Sequence, residues 1–443
     1  MKKDVKNEKI VNNKKSDNAA DAIAEVLPRG KEIFVLNSKE DTVNLTDGKV
    51  DSFRQVDETQ KTVRLYKDGK ISVAGGLGED VDIKELEKTA RAELDAEGDS
   101  VPYVCALSKN VKSIIKDKPA VSPEKFLPSA KRLAAKVAKA CPEFLVNGKI
   151  YTETVEKHYA NSAGSDLNFK NSSFAATFIL KDKNSSNIMD ASFGASVRYY
   201  GKSVEDKIVA DMITLRDAFF GKKTTLKNGE YPFIFGAYDV LAHLVKDFVA
   251  EMYVSNGSLL SGKLGERVFN ENLSVYVDKN YATNYSSAFF DAEGEIAPDY
   301  RPKLIENGVV KGLFANKNTA KTFNLPLLKC AAASYDGVPQ IGISGIYIKP
   351  TAPDLKTVLG KKRAILIDTT SGGDITPDGK IGLPVQLAFL VEDGKITARV
   401  TDFQLSANVF DLLGKDFLGV AKKGVYSTQQ TPLILAKASL TNA

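Results

Sequence analysis

The sequence predicts an α+β protein: an N-terminal antiparallel sheet with helices, a central α/β segment, and a C-terminal mainly-β module, barrel-like or sandwich. Three observations carry this reading. Asx-Gly dipeptides break β-rich runs at Asp47-Gly48, Asp68-Gly69, Asn307-Gly308 and Asp393-Gly394; such turns need φ > 0, which selects tight hairpins. Amphipathic helical spacing recurs between strand-like runs in the first half of the chain. In the second half, short strands at close spacing with glycine turns suggest a sheet that curls on itself.

Taken in order, residues 1–16 are polar and Asn/Lys-rich, and read as a flexible tail. Asn18 can cap a short helix over 19–27 that Pro28-Arg29-Gly30 ends. Residues 32–36, 42–45 and 62–66 read as strands of an antiparallel meander. A helix over 82–96 follows, with Ile83, Leu86, Ala90 and Leu94 along one face. Residues 109–121 read as a linker. Ser122-Pro123 has the form of a cap and first helical residue, although Pro128 places the start of the long helix there. Leu133, Val137 and Cys141 then fall at i, i+4 and i+8, which makes Cys141 a packing residue.

The β pattern returns over 144–200, clearest at 174–180 and 191–199, before an amphipathic helix over 204–220. After the break at 222–229, an apolar strand over 232–235 runs through Gly236-Ala237 into an apolar helix that carries His243. Strands are expected at 273–277, 287–290, 301–310, 342–348, 363–367, 385–392 and 396–400, with a helix over 407–413. The modules are therefore 17–115, 122–224 and 230–443. No repeat of solenoid period is present.

Composition narrows the function classes. The chain has 443 residues, 43% hydrophobic and 26% charged, with 61 basic against 56 acidic side chains, as in an ordinary globular protein. The basic excess sits in the first fifteen residues and in 109–139 and forms no clustered face, so nucleic acid is not an expected partner. Cys105, Cys141 and Cys330 form no C-x-x-C pair, which suits a reducing compartment. No apolar run is long enough to span a membrane, and the basic N-terminus has no apolar core of a secretory signal. The cytoplasm is the expected location.

One tract is more specific. Residues 285–294 read YSSAFFDAEG, followed by Ile296-Ala297-Pro298 and then LIENGVVK at 304–311. This resembles the TldD/PmbA family, whose members carry a Ser-x-x-Phe-Asp-x-Glu-Gly turn before a hairpin. The early VNLTDGKVDSFRQV and VRLYKDGKISVA segments are similar to the family's N-terminal module. The 231–253 tract and LLSGKLGERVF at 259–269 look like the start of its C-terminal module in the PmbA branch, also called TldE. Asn408-Val409-Phe410 with Leu412-Leu413 is similar to a late family tract.

The resemblance implies the following. The family's active branch, TldD, is a zinc metallopeptidase with a His-Glu-x-x-x-His helix, in which the histidines bind metal and the glutamate acts as general base. It works with a TldE/PmbA partner that lacks this motif and cleaves unfolded or leader peptides, which are held as an added strand. On this chain His243 matches the first histidine, but Leu244 stands at the glutamate position and Phe248 at the second histidine. Asp247, one helical turn on, is the only other ligand candidate at hand, and three protein ligands are usual. His158 lies in a polar stretch and reads as a surface residue. Cys330 comes too early for the family's C-terminal cysteine ligand and reads as a small buried hydrophobe.

The expected chain is thus a degenerate site at His243, Leu244 and Phe248, with no catalytic residue and no cofactor, zinc belonging only to a TldD-like partner. Phe290, Asp291, Glu293 and Gly294 are the candidate peptide-binding residues; a turn capped by its own aspartate is the plainer reading of the two carboxylates. Ser371–Asp374 lacks the lysine of a phosphate loop, and Gly75–Gly78 reads as a flexible segment that fails the dinucleotide pattern. The alternative to a peptidase subunit is a stand-alone peptide-binding or structural homodimer, suggested by departures from the family pattern over 331–385. The family's older label, modulator of DNA gyrase, finds no basic, aromatic-laced patch to support it.

Overall fold

The computed structural model describes residues 29–96, 101–104, 106–109 and 112–442. The expected tail, the 19–27 helix and Cys105 lie outside these residues.

Among the described residues, the first sheet has eight strands. Its central members are long: Arg29–Thr46, Lys49–Lys67, Phe144–Asn161 and Asp166–Asp182, so the segments expected at 32–36 and 42–45 are one strand. All four Asx-Gly turns are present with both residues at positive φ: Asp47 and Gly48, Asp68 and Gly69, Asn307 and Gly308, Asp393 and Gly394, the type I′ geometry that matches strand twist. The modules expected at 17–115 and 122–224 share this one sheet, because Arg29–Thr46 pairs along its length with both Lys49–Lys67 and Phe144–Asn161.

The sheet's alternation sets what each face does. Val63 and Leu65 pack on the helix Ile83–Asp95, whose cap is Asp82. Thr62, Arg64 and Tyr66 point the other way, and Thr62 and Arg64 bond to the C-terminal module through the carbonyls of Tyr335 and Ala292. Helices Pro123–Ala140 and Lys202–Phe220 bury Phe126, Leu133, Val137, Ile208, Met212 and Leu215 against the sheet's far end. The first of these begins at Pro123, not at Pro128. The carbonyl that Pro128 leaves without a donor belongs to Glu124, which is solvent-exposed, so water can satisfy it. Cys141 caps this helix in full burial, and burial raises its thiol pKa to about 11. The expected linker contains an edge strand, Lys112–Lys116, parallel to Asp166–Asp182.

The C-terminal module is a barrel. Strands Gly229–Gly236, Leu433–Asn442, Phe403–Asn408, Lys380–Glu392 and Ala364–Thr370 close into a ring, with Gly229–Gly236 parallel to Ala364–Thr370 and the other pairs antiparallel. Phe233 and Phe235 fill the interior, while Ile234 joins the core under the N-terminal sheet. Leu366 and Leu435 lie on that outer side too, between Ile365, Ile367, Ile434 and Ala436 inside. Burial on both faces explains an apolar run without alternation at 232–235. Residues 287–290 form no strand; Phe289 and Phe290 instead plug a small core with Tyr159 and Phe169. The late helix shrinks to Val409–Leu412. Among the described residues, no helix is long and apolar enough to cross a membrane.

Candidate functional site

The apolar helix after the first barrel strand spans Ala237–Leu244 and then tightens into a 3-10 turn, Val245–Phe248. Ala237, Val240, Leu241 and Leu244 form its buried stripe, at helical spacing. Leu244 is 0% and Phe248 3% exposed, both inside the barrel core. His243 lies off this stripe and is half-buried. The change of helix type turns Asp247 inward, away from the expected meeting with His243. One carboxylate oxygen accepts from the Leu259 amide at 2.7 Å, and the Asp247 carbonyl accepts from the Ser258 hydroxyl at 2.6 Å. The other carboxylate oxygen is buried without a partner, and burial raises the pKa.

The donor set does not fit a zinc ion. Among the described residues, no group of three His, Cys, Asp or Glu side chains converges. Cys330 is 4% exposed and its thiol pKa is pushed up to about 12, chiefly by burial. His158 is on the surface, 3.0 Å from Asp166.

The YSSAFFDAEG tract builds a polar clasp between the barrel module and the N-terminal sheet. One oxygen of Asp291 accepts from the amides of Glu293 and Glu295, both at 2.9 Å, and the other from Ala331 at 3.0 Å. Glu293 accepts from the Tyr103 hydroxyl and the Lys317 amide. The Lys317 ammonium lies 3.0 Å from Glu295 and donates to the carbonyls of Ala106 and Glu293. Burial opposes the charge on Lys317, but Glu295 and Glu293 outweigh it and raise its pKa. Burial likewise raises Glu293, to about 7, against the pull of Lys317.

Across the interface, Glu32 accepts from Tyr66 at 2.9 Å and Tyr159 at 2.8 Å and pairs with Arg64 at 3.3 Å. Arg64 then donates to the Ala292 carbonyl. Gly294 has φ +70°, and a Cβ there would lie 2.2 Å from the Tyr159 ring, so glycine is needed for both conformation and space.

Of the candidate peptide-binding residues, Phe290 and Asp291 line a cavity of about 450 Å³ between the two modules, whereas Glu293 and Gly294 face the clasp. Gly75 belongs to the strand Lys70–Leu77, not to a flexible loop; a Cβ there would lie 2.1 Å from the Tyr335 carbonyl. Clasp members Glu32, Arg64, Tyr103, Tyr159 and Lys317 were not singled out in the sequence, since only tertiary contact distinguishes them from surface side chains. The glycine pair in a β-rich run is the one local sign that another backbone approaches.

A second cavity, also about 450 Å³, lies at the start of the Ala237–Leu244 helix and holds Asp239 and Asp368. Asp239 accepts from the Gly236 amide at 3.0 Å. Burial, with Asp239 close by, raises the Asp368 pKa to about 7. For a carboxyl raised in the folded state, the stabilisation is complete below its unfolded pKa near 3.8 and is lost as pH rises through about 7. Asp368→Asn is therefore expected to gain roughly 1–3 kcal/mol over the parent between pH 5 and 8, measured by urea unfolding at each pH.

A helix-covered antiparallel sheet clasped to a closed barrel, with the Asp291 turn buried in the joint, defines a bipartite α+β class. Family models described as the PmbA/TldA metallopeptidase C-terminal domain and the PmbA/TldA metallopeptidase domain 1 match residues 228–440 and 32–96. The chain belongs to the PmbA/TldD family.

Curated relatives include a metalloprotease of Methanothermobacter thermautotrophicus, 28% identical over 44% of this chain and 44% of its own length. A metalloprotease of Methanocaldococcus jannaschii is 29% identical over 38% of this chain and 37% of its own length. The chain thus matches less than half the length of either relative. Among solved structures, TldE from Thermococcus kodakarensis superposes with a TM-score of 0.75 at 21% identity, covering 94% of this chain and 97% of that one. A Thermotoga maritima protein described as a modulator of DNA gyrase gives 0.71 at 20% identity, over 93% and 96%. At these identities the solved structures establish the fold, including the barrel.

Proposed function

We propose that this chain is a non-catalytic, PmbA/TldE-like subunit that pairs with a TldD-like zinc peptidase in the cytoplasm and helps enclose an extended peptide. The observation that carries the proposal is the fate of the two motif positions. On the mapping that the family resemblance implies, Leu244 and Phe248 stand where the general base and second histidine belong, and both side chains are packed in the barrel core. A helix whose inner stripe is committed to packing can shape a chamber, but it offers a bound water neither a metal nor a base. The inter-module cavity and the main chain at Ala333 beside it would offer a peptide main-chain hydrogen bonds, which tolerate many sequences.

The test is metal analysis and peptidase assay on the purified chain. The expected result is zinc well below one equivalent and no cleavage of an unfolded peptide. Tight stoichiometric zinc with cleavage by the lone chain would overturn the proposal.

A further inference from the structure

The inter-module cavity carries more positive charge than its surroundings neutralise. Lys279 is 6% exposed and Lys157 is half-buried, and both line the cavity. Among the described residues, neither ammonium has a hydrogen bond or an ion pair. Asp291 acts on Lys279 through its charge, but no hydrogen bond or ion pair joins them among the described residues. All three backbone amides that cap Asp291 occupy its two oxygens. Glu32 is engaged by Arg64, Tyr66 and Tyr159, and Glu153 acts on Lys157 only at longer range. Burial and mutual repulsion with Lys279 lower the Lys157 pKa, the response of an ammonium lacking its anion.

The rest of the lining suits a peptide better than a phosphate. Phe34, Leu36 and Phe290 give the cavity apolar walls. Ala333 borders it with exposed main chain that makes no backbone hydrogen bond among the described residues. The volume of about 450 Å³ is within the range of small-ligand sites.

We propose that Lys157 and Lys279 form an anion clamp for a carboxylate of the extended peptide, its C-terminus or an acidic side chain, while Ala333 pairs with the peptide main chain. The assignment rests on the peptide-handling reading above. Two ammonium groups against one carboxylate, in a partly enclosed cavity, make charge-assisted hydrogen bonds that are stronger than neutral ones.

The test uses the full chain and a fluorescently tagged tetrapeptide, Ala-Ala-Leu-Ala, as free acid, as C-terminal amide, and as an amide with glutamate at its last position. Anisotropy titrations are expected to show the free acid or the glutamate peptide binding at least tenfold tighter than the neutral amide; whichever does so names the carboxylate's source. Lys279→Met and, separately, Lys157→Met should reduce that preference at least threefold with unchanged circular dichroism, while Lys279→Arg retains it. Equal affinity for all three peptides would overturn the clamp and leave peptide binding intact. Absence of binding by any of them would overturn the clamp and peptide handling in this cavity together. Inorganic phosphate competing at lower concentration than the acid peptide, with the same Lys279 dependence, would overturn a peptide carboxylate as the ligand.

Discussion

Leu244→Glu is expected to lose at least about 3 kcal/mol of stability and to gain no peptidase activity. Leu244 is fully buried among Phe233, Leu241, Phe248 and the other apolar side chains of the barrel core. A carboxylate there has no cation among these neighbours, so it either stays protonated or forces the helix outward. Removing the leucine also forfeits its packing, and the Leu→Ala scale of about 2–5 kcal/mol bounds that part. Urea unfolding followed by tryptophan-independent far-UV circular dichroism measures the loss, since the chain has no tryptophan. On the mapping that the resemblance implies, the double variant Leu244→Glu/Phe248→His would write the His-Glu-x-x-x-His motif into residues 243–248. It is expected to be less stable still and to bind zinc below one equivalent, because the third donor is absent and the helix turns into a 3-10 geometry between the two positions.

Lys317→Met is expected to destabilise the joint between the modules by about 3–5 kcal/mol. The Lys317 side chain is the cation shared by Glu293 and Glu295, and it also satisfies the carbonyls of Ala106 and Glu293. Methionine preserves the stem's volume but leaves buried carboxylates and carbonyls without their donor, and a lone buried charge is more unfavourable than a missing pair. The double change Lys317→Met/Glu295→Gln should therefore recover part of the loss. Proteolysis would locate the damage: cleavage is expected to rise in the 101–109 and 290–295 segments, which the lysine joins. An effect confined to less than about 0.5 kcal/mol, typical of surface positions, would show that the clasp does not hold the modules together.

These two residues also show what the sequence made legible. The stripe 237, 240, 241 and 244 has helical spacing, and the Leu244 and Phe248 side chains are apolar, so their burial follows from local pattern. The Asx-Gly hairpins were equally plain, because backbone sterics alone demand those residues. The 3-10 turn that reorients Asp247 had no such signature; it depends on the Ser258 and Leu259 partners, which lie a loop away. Strands Phe417–Ala421 and Leu433–Asn442 are apolar runs buried on both faces over most or half of their length, so they lose their alternation. Phe403–Asn408 does alternate, with Phe403 and Leu405 buried between exposed Gln404 and Ser406, but over too few residues to stand out. The clasp was hidden for a related reason. Glu32, Arg64 and Lys317 are buried charges whose charge partners lie far apart in the sequence or beyond a turn, and Arg64 and Lys317 also bond across the joint to the Ala292 and Ala106 carbonyls. In one dimension they look like ordinary surface residues.

The same contrast separates the two candidate sites. The expectation at His243, Leu244 and Phe248 came from residue identities; the Leu244 and Phe248 side chains lie in the core, while His243 is half-buried beside it. The Phe290–Gly294 tract was read as one peptide-binding group, but the fold divides it: Phe290 and Asp291 on the cavity, Glu293 and Gly294 in the clasp. Asp291 accepts from two amides of its own turn, Glu293 and Glu295, and from Ala331 beyond it, so the turn's exposure to a ligand is a matter of what the opposite sheet leaves open.

The central claim is that this chain contributes shape to a peptidase formed with another subunit. Size-exclusion chromatography with light scattering, on the purified chain mixed with a TldD-like zinc peptidase from the same cell, tests it most directly. The expected result is a stable species with the summed mass of both chains, which cleaves an unfolded peptide while this chain alone does not. Two separate peaks, with the partner's activity unchanged by the mixture, would contradict it.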